Sequence, residues 1–476
     1  MPGEPAGMDR PLSAVVRRPP VTCLPSDSIE SALRTMSTEA LGSLIVTGGE
    51  REPLGIFTLH DLLNRVALQR KDLADPISSV MSPVRVMLPS RATAYDAALE
   101  MVRQGTRHVI VVDQGKVTGI VSEKDLFDLQ RLSLRQLSSE IKGAPDVAAL
   151  AALAAEVRRL AQSRLVEGVS SEQLTRLISS LNDLLTRRVL ELEFADRDLR
   201  GVVCCWLALG SEGRLEQTLS TDQDNGLLFE SPAGVDADAA REVLLPIAQR
   251  VNASLAACGF PLCTGNIMAG NPRWCLSAAE WRREFAHWID SGNPEALLHG
   301  SIFFDFRALY GAERLATQLR AWLTGKAAAN FRFLHQMAEN SLHNRPPLGM
   351  VRDFQVESAG EHKGTIDLKL NGTTIFVDAA RIFALATGGS ATSTAERLRA
   401  AATALKVPPD EVEAWIGAFY HLLALRLRCQ QGALSGVGAG NRVNPARLDR
   451  LKRSILKESL HQAKNIQSRL AADYLA

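Results

Sequence analysis

LALGSEGRLEQTLSTDQDNGLLFE, residues 207–230, decides how the centre of this chain folds. It continues the apolar run Val202-Val203-Cys204-Cys205-Trp206, so residues 202–209 read as a strand buried on both faces. Gly210-Ser211 then makes a small-residue turn where backbone N–H groups can approach an anion closely. EGRLEQTL predicts a short helix with its N-terminus aimed at the same anion and Arg214 on its first turn, within reach of a phosphate oxygen. TDQDNGLLF predicts the next strand, and residues two apart on a strand share a face, so Asp222 and Asp224 converge on one point. Two carboxylates beside an anion-binding turn suit Mg²⁺ carrying a nucleotide's phosphates. The other fate of such a pair is capping and turn hydrogen bonding.

Around this stretch lie 476 residues, too many for one core, and several domains are expected. Hydrophobic residues at 46% and charged residues at 22% are ordinary for a folded globular chain. A net charge of +1 gives no global case for nucleic acid or an anionic membrane as partner. No apolar run approaches the roughly 18–20 residues that span a bilayer. The opening MPGEPAGMDRP lacks a charged-then-apolar signal pattern, so a cytoplasmic location is expected. Seven cysteines form no CxxC pair and nine histidines no HxH or HExxH spacing, which argues against a disulfide framework and a zinc site. Cys204 and Cys205 read as small core residues.

Upstream, the chain repeats itself. Gly55-Ile56-Phe57-Thr58-Leu59-His60-Asp61-Leu62 returns as Gly119-Ile120-Val121-Ser122-Glu123-Lys124-Asp125-Leu126, and LPSDSIESALRTM from Leu24 is echoed by LPSRATAYDAALEM from Leu88. Each copy reads as extended segment, helix, strand, strand, helix. The two GI-x-[ST]-x-x-D endings resemble those of a pair of CBS (cystathionine-β-synthase) domains, covering residues 11–132. That resemblance implies a pseudo-symmetric module with AMP or ATP in its clefts, Thr58 with Asp61 and Ser122 with Asp125 lying near phosphate and ribose. N-capping of the following helices by Thr58 and Ser122 explains the same residues without a ligand.

Residues 133–200 turn helical, with Leu174, Leu177, Ile178, Leu181, Leu184, Leu185 and Val189 forming an apolar stripe, and read as a connector. Beyond the central stretch, SAAEWRREFAHWID predicts a helix with a Trp281, Phe285, Trp288, Ile289 face. Asp305 and Arg307, set in an aromatic run, read as a buried ion pair or a substrate contact. IDLKLNGTTIFV predicts a hairpin around Asn371-Gly372. Lys369 on its first strand reads most simply as part of a solvated face, with contact to a triphosphate as the other reading. Three further helices, the Gly-rich loop SGVGAGNRVNPA and a last helix bearing Arg450, Lys452, Arg453 and Lys457 complete the chain.

Apolar strand, Gly-Ser, a spacer of ten residues between Ser211 and Asp222, then Asp-x-Asp resembles the signature of the DNA polymerase beta-type nucleotidyltransferase superfamily. The fuller GSEGRLEQTLSTDQDN is similar to the PII-uridylyltransferase-like branch, in which some proteins place CBS pairs before such a domain. The resemblance implies that Asp222 and Asp224 hold Mg²⁺ or Mn²⁺, that Gly210 and Ser211 cradle an NTP's outer phosphates, and that a later carboxylate completes the catalytic set. Asp305 is the carboxylate candidate for that place, and Asn266 offers an amide. Gln223 and Asn225 depart from the superfamily, which usually has apolar residues there. The expected fold is α+β multidomain: the CBS pair, a helical connector at 133–200, a polymerase-beta-type α/β nucleotidyltransferase domain at 201–300 and a mainly helical substrate-binding domain at 301–476. The expected activity is transfer of NMP from an NTP to a protein or small-molecule hydroxyl, regulated by adenine nucleotides. No nucleic acid or membrane partner is expected, and homodimerisation is inferred by analogy with CBS modules. A catalytically inactive nucleotide-sensing regulator is the alternative.

Overall fold

In the computed structural model the first unit runs β1 (Thr22–Cys23), α1 (Ile29–Thr38), β2 (Ser43–Thr47), β3 (Pro53–Thr58), β4 (Ser82–Pro83), β5 (Met87–Pro89), α2 (Ala94–Gln104), β6 (His108–Asp113), β7 (Lys116–Ser122) and into α3 (Glu123–Gly143). The described residues are 8, 10–16, 18–349, 353–434 and 440–475. Residues 1–7 and 9, within the start read for a targeting signal, and 435–439, within the Gly-rich loop, lie outside them. Two compact units divide between Ser139 and Glu140.

The first unit's strands form two sheets, β1-β2-β3-β4 and β5-β6-β7. The sequence repeat is also a repeat of register: Ile45 pairs with Ile56 and Val46 with Gly55, as Ile110 pairs with Ile120 and Val111 with Gly119. Both glycines of the repeat are needed for close packing. A Cβ at Gly55 would come within 2.5 Å of the Met81 sulfur, and one at Gly119 within 2.5 Å of Val16. Ser28 and Thr93 N-cap α1 and α2 through their hydroxyls. Ile29, Met36, Leu44 and Phe57 fill one core, and Ala97, Met101, Val109 and Val121 the other.

The second unit opens with α4 (Val147–Val166) and α5 (Ser171–Phe194), whose Leu174, Ile178, Leu181, Leu185 and Val189 are buried. Then come β8 (Val203–Ala208), α6 (Gly210–Gly213), β9 (Asn225–Glu230), α7 (Ala237–Ala257), β10 (Cys275–Ser277), α8 (Ala278–Ser291), α9 (Pro294–Phe303) and β11 (Arg307–Gly311). The sheet order is β10-β9-β8-β11, with β8 antiparallel to both its neighbours and β10 parallel to β9. Trp274, Trp281, Phe285, Trp288 and Phe303 pack ring against ring, Trp274 and Phe303 at 4.3 Å between centroids. The expected helix EGRLEQTL is cut to the single turn α6, because Leu215 adopts a left-handed φ of 59°.

The remainder is α10 (Glu313–Ala328), α11 (Phe331–Ser341), β12 (Ile366–Asp367), α12 (Thr374–Ala386), α13 (Thr394–Ala402), α14 (Pro409–Leu434), β13 (Arg442–Val443) and α15 (Arg450–Tyr474). One core joins these helices to the sheet, running from Leu207 and Leu228 through Trp281 to Phe376, Phe419 and Leu460. The expected hairpin at Asn371-Gly372 does not form. Ile366 and Asp367 pair instead with Val443 and Arg442, far along the chain. The Asp367 carboxylate accepts from the N–H groups of Lys369 and Leu370 and turns the chain into a π-helical turn, Lys369–Thr373, that feeds α12. Ile375, Phe376, Val377, Ile382 and Phe383 bury α12 on nearly every side, so its unbroken apolar sequence belongs to a core helix. Arg453 and Lys457 of the expected basic face both pair with Asp353.

Candidate functional site

The site grows from the end of β8. Gly210 takes a left-handed φ of 53°, and a Cβ there would lie 3.1 Å from Asp224 Oδ2, so glycine serves both the turn and the approach of the carboxylate. The Leu209 N–H donates to the Asp224 carbonyl at 3.0 Å, holding the two segments together. Asp222 and Asp224 lie just before β9 rather than within it, yet the alternation expected of a strand survives. Gln223 and Asn225 turn inward and are almost fully buried. Gln223 donates to the carbonyls of Asn252 and Phe260, while Asn252 donates to Gln223 Oε1 and Asn225 Oδ1. Asn225 also accepts from the Ala269 N–H. These amides, which depart from the superfamily pattern, pin the loop from inside and leave the alternate carboxylates outside.

A group that sequence reasoning missed completes the cluster. The ligating atoms of Asp222, Asp224 and Cys263 all lie within 4.8 Å of one another. Cys263 arrives on the loop that the Gln223 N–H ties down by donating to the Pro261 carbonyl. Asn266 is exposed, and its carbonyl accepts from Trp274 Nε1. Only the nearness of Cys263 to Asn266 in sequence pointed here. Burial, reinforced by the charge of Asp222, pushes the Asp224 carboxyl up to about 6, against the opposing pull of Cys263, Lys369 and Arg214. The raised Asp224 carboxyl beside Asp222 calls for more positive charge than Lys369 and Arg214 bring, which a divalent cation would supply. The residues therefore fit Mg²⁺ or Mn²⁺ on the two aspartates. Burial raises the Cys263 thiol, so it stays protonated beside them, a poor ligand for a hard cation.

The aspartates open onto a pocket of about 250 Å³ that Gly210, Ser211 and Arg214 also line. Arg214 is committed to protein partners: Nε donates to Glu216 at 2.8 Å and Nη1 to Asp305 at 2.6 Å. Asp305, expected as a third catalytic carboxylate, is not part of the aspartate cluster. It is 0% exposed, and its two oxygens accept from Arg381, Arg397 and Arg214. Burial alone would raise its carboxyl, but the three guanidinia hold it well below the usual carboxylate range. With no oxygen left for a cation or a substrate, it serves as the keystone of an ion-pair cluster. Arg307, the other member of the aromatic run, pairs with Asp183 and donates to the Glu212 carbonyl.

In the first unit the two repeat endings differ. Thr58 and Asp61 form a capping box, and Asp61 also accepts from Ser82 at 2.7 Å and pairs with Arg65. Asp61 is buried and both its oxygens are engaged. Ser122 and Asp125 make the same cap through Asp125 Oδ2, but they line a cleft of about 720 Å³. Arg18, Arg107 and Lys124 bring positive charge to that cleft, and Ile45 and Ile120 an apolar floor.

Three family models match: CBS domain at residues 12–68 and 77–131, Putative nucleotidyltransferase DUF294 at 155–295, and Putative nucleotidyltransferase substrate binding domain at 331–474. An uncharacterized protein of Methanopyrus kandleri is 28% identical over 133 residues, 28% of this chain and 68% of that protein. An uncharacterized 17.7 kDa protein of Acidianus ambivalens is 29% identical over 124 residues, 25% of this chain and 74% of that protein. Among solved structures, a CBS-domain protein of Agrobacterium tumefaciens is 30% identical with a TM-score of 0.25, covering 26% of this chain and 96% of that one. A CBS domain protein of Pyrobaculum aerophilum complexed with AMP is 24% identical with a TM-score of 0.23, covering 25% and 98%. No helix among the described residues is long and apolar enough to cross a membrane. The chain is thus a CBS-domain-pair protein that carries the DUF294 nucleotidyltransferase domain and the substrate-binding domain that accompanies it.

Proposed function

We propose that the second unit is a nucleotidyltransferase of the PII-uridylyltransferase-like kind, moving NMP from an NTP to a protein or small-molecule hydroxyl. The observation that carries this reading is the convergence of Asp222 and Asp224 beside the Gly210-Ser211 turn at the mouth of a pocket. Asp222 and Asp224 would hold Mg²⁺ or Mn²⁺, which when bound neutralises triphosphate charge and acidifies an acceptor hydroxyl. The Gly210-Ser211 backbone, freed of side-chain bulk at Gly210, would receive the outer phosphates. Gln223, Asn225 and Asn252 keep the loop from yielding as the carboxylates take up their load. The Ser122–Asp125 cleft of the CBS pair would take AMP or ATP, its cations facing phosphate and Asp125 accepting from ribose hydroxyls. Incubation with each labelled NTP, Mg²⁺ and cell extract tests the activity. Label transfer and pyrophosphate release that vanish in Asp222→Ala/Asp224→Ala are expected, and equal activity in the double variant would sink the reading.

One observation favours a second reading. The third position of the cluster is the thiol of Cys263 and not a carboxylate, as a nucleotide-sensing domain without turnover would tolerate. Calorimetric binding of ATP with no pyrophosphate release over hours would favour this regulator, and NTP-dependent transfer would exclude it.

A further inference from the structure

The charges around the pocket can be sorted by partner. Arg214, Arg381 and Arg397 face Asp305, Glu216 and Asp378, three cations and three anions bound into one cluster. Two further cations line the same pocket and stand outside that cluster: Arg426 of α14 and Lys369 of the π-helical turn. Arg426 is held from behind, Nε donating to Asn441 and Nη1 to Thr373. No carboxylate lies within 4.0 Å of either cation among the described residues. Burial pulls the Arg426 guanidinium down to about 10, against the more distant charges of Asp367 and Glu216, so it stays charged at neutral pH with no carboxylate in contact among the described residues. Lys369 is exposed and lines the pocket together with Asp222 and Asp224.

We propose that Arg426 and Lys369 are the pocket's phosphate-binding cations, so that the C-terminal helical lobe grips the polyphosphate of the nucleotide whose metal-side contacts come from the β8–β9 lobe. This inference rests on reading the Asp222–Asp224 pocket as a triphosphate site and adds what the reading lacks, a positive counter-wall. Once a divalent cation satisfies the two aspartates, Arg426 and Lys369 are the charges left over, and a polyphosphate is the anion whose charge density matches them. Arg426 is preoriented by Asn441 and Thr373, so less side-chain entropy is lost on binding. The grip on the nucleotide would then depend on residues about 160 and about 215 positions beyond the GS turn.

Titration calorimetry of the full chain with inorganic tripolyphosphate and Mg²⁺ tests this without any transfer step. Wild type is expected to bind, with affinity falling as salt rises, and Lys369→Gln and Arg426→Gln are each expected to weaken binding about tenfold or more. Arg426→Lys is expected to retain part of the affinity. Because Arg426 also braces Asn441 and Thr373, a thermal melt accompanies each variant, and exposed Lys369 decides the matter if Arg426→Gln does not fold. Wild-type affinity in folded Lys369→Gln and Arg426→Gln, or no binding to wild type, would overturn the proposal. Tight tripolyphosphate binding without NMP transfer would sink the transferase reading and leave this one standing.

Discussion

Asp305 takes one negative charge into a position that water does not reach, and three guanidinia meet it there. Removing that charge leaves three buried cations with two anions among them. Asp305→Asn is therefore expected to cost about 3–5 kcal/mol of stability, read by urea unfolding at pH 7. A catalytic carboxylate would behave in the opposite way, losing transfer with stability intact. Because its carboxyl is depressed, the stabilisation is full above the ordinary carboxylate value and fades only as pH falls below it. Glu212 has the reverse sign. Burial first, and the charge of Asp183 second, push its carboxyl up to about 8. Between its ordinary value near 4.5 and about 8 the folded protein holds a proton that the unfolded chain has released, so stability declines as pH rises through that window. Glu212→Gln cannot lose that proton. In metal-free buffer its unfolding free energy is expected to match wild type near pH 4 and to exceed it increasingly up to pH 8.5, by a few kcal/mol at most. A gap independent of pH would show that Glu212 is solvated.

At the scale of the element, Gly372 separates two folds of the same stretch. In a type I′ hairpin turn it would need a positive φ, and alanine there would be strained. In the structure Gly372 sits in the π-helical turn, absent from the left-handed glycines, and an added Cβ would meet Leu422 of α14 at 3.4 Å, an ordinary contact. Gly372→Ala is thus expected to leave stability unchanged or raise it by about 0.5–1 kcal/mol, and Gly372→Val to lower it by about 1–3 kcal/mol through crowding Leu422. Loss of stability in the alanine variant would restore the hairpin. The same stretch shows what sequence can and cannot tell. The CBS repeat was legible because its glycines, caps and apolar strands occur twice at matched positions. The strand, GS turn and paired aspartates were legible because all lie within one local stretch. Asn371-Gly372 misled because Ile366 and Asp367 take their strand partners from Arg442-Val443, far along the chain, and Asp367 turns the following residues into a π-helical turn, neither of which a local pattern reveals. Cys263 and the Asp305 cluster were hidden for the same reason: the loop after α7, and Arg381 and Arg397 on α12 and α13, reach their partners only through tertiary folding. Gln223 and Asn225 looked like departures until Asn252 appeared opposite them.

For the whole molecule, the question is whether a nucleotide in the Ser122–Asp125 cleft alters the pocket of the second unit. Thermodynamic linkage makes that testable without knowing the acceptor. If AMP in the cleft changes the affinity of a nonhydrolysable NTP by some factor, that NTP must change the affinity for AMP by the same factor. Regulation of useful size corresponds to a factor of about five or more, well within reach of calorimetry. The full chain is titrated with AMP alone and with NTP analogue and Mg²⁺ saturating, then in the reverse order. Equal factors are expected. Asp125→Asn, which keeps the cap geometry but weakens acceptance from ribose hydroxyls, should lower AMP affinity about tenfold and leave the intrinsic NTP affinity unchanged. Asp222→Ala/Asp224→Ala should weaken the NTP and erase its effect on AMP while AMP alone still binds. A factor of one in both orders would mean that the CBS pair and the pocket are energetically independent. Unequal factors would mean that AMP also enters the pocket, where the cations of α14 and the π-helical turn would receive its phosphate, and the Lys369→Gln variant would then restore equality.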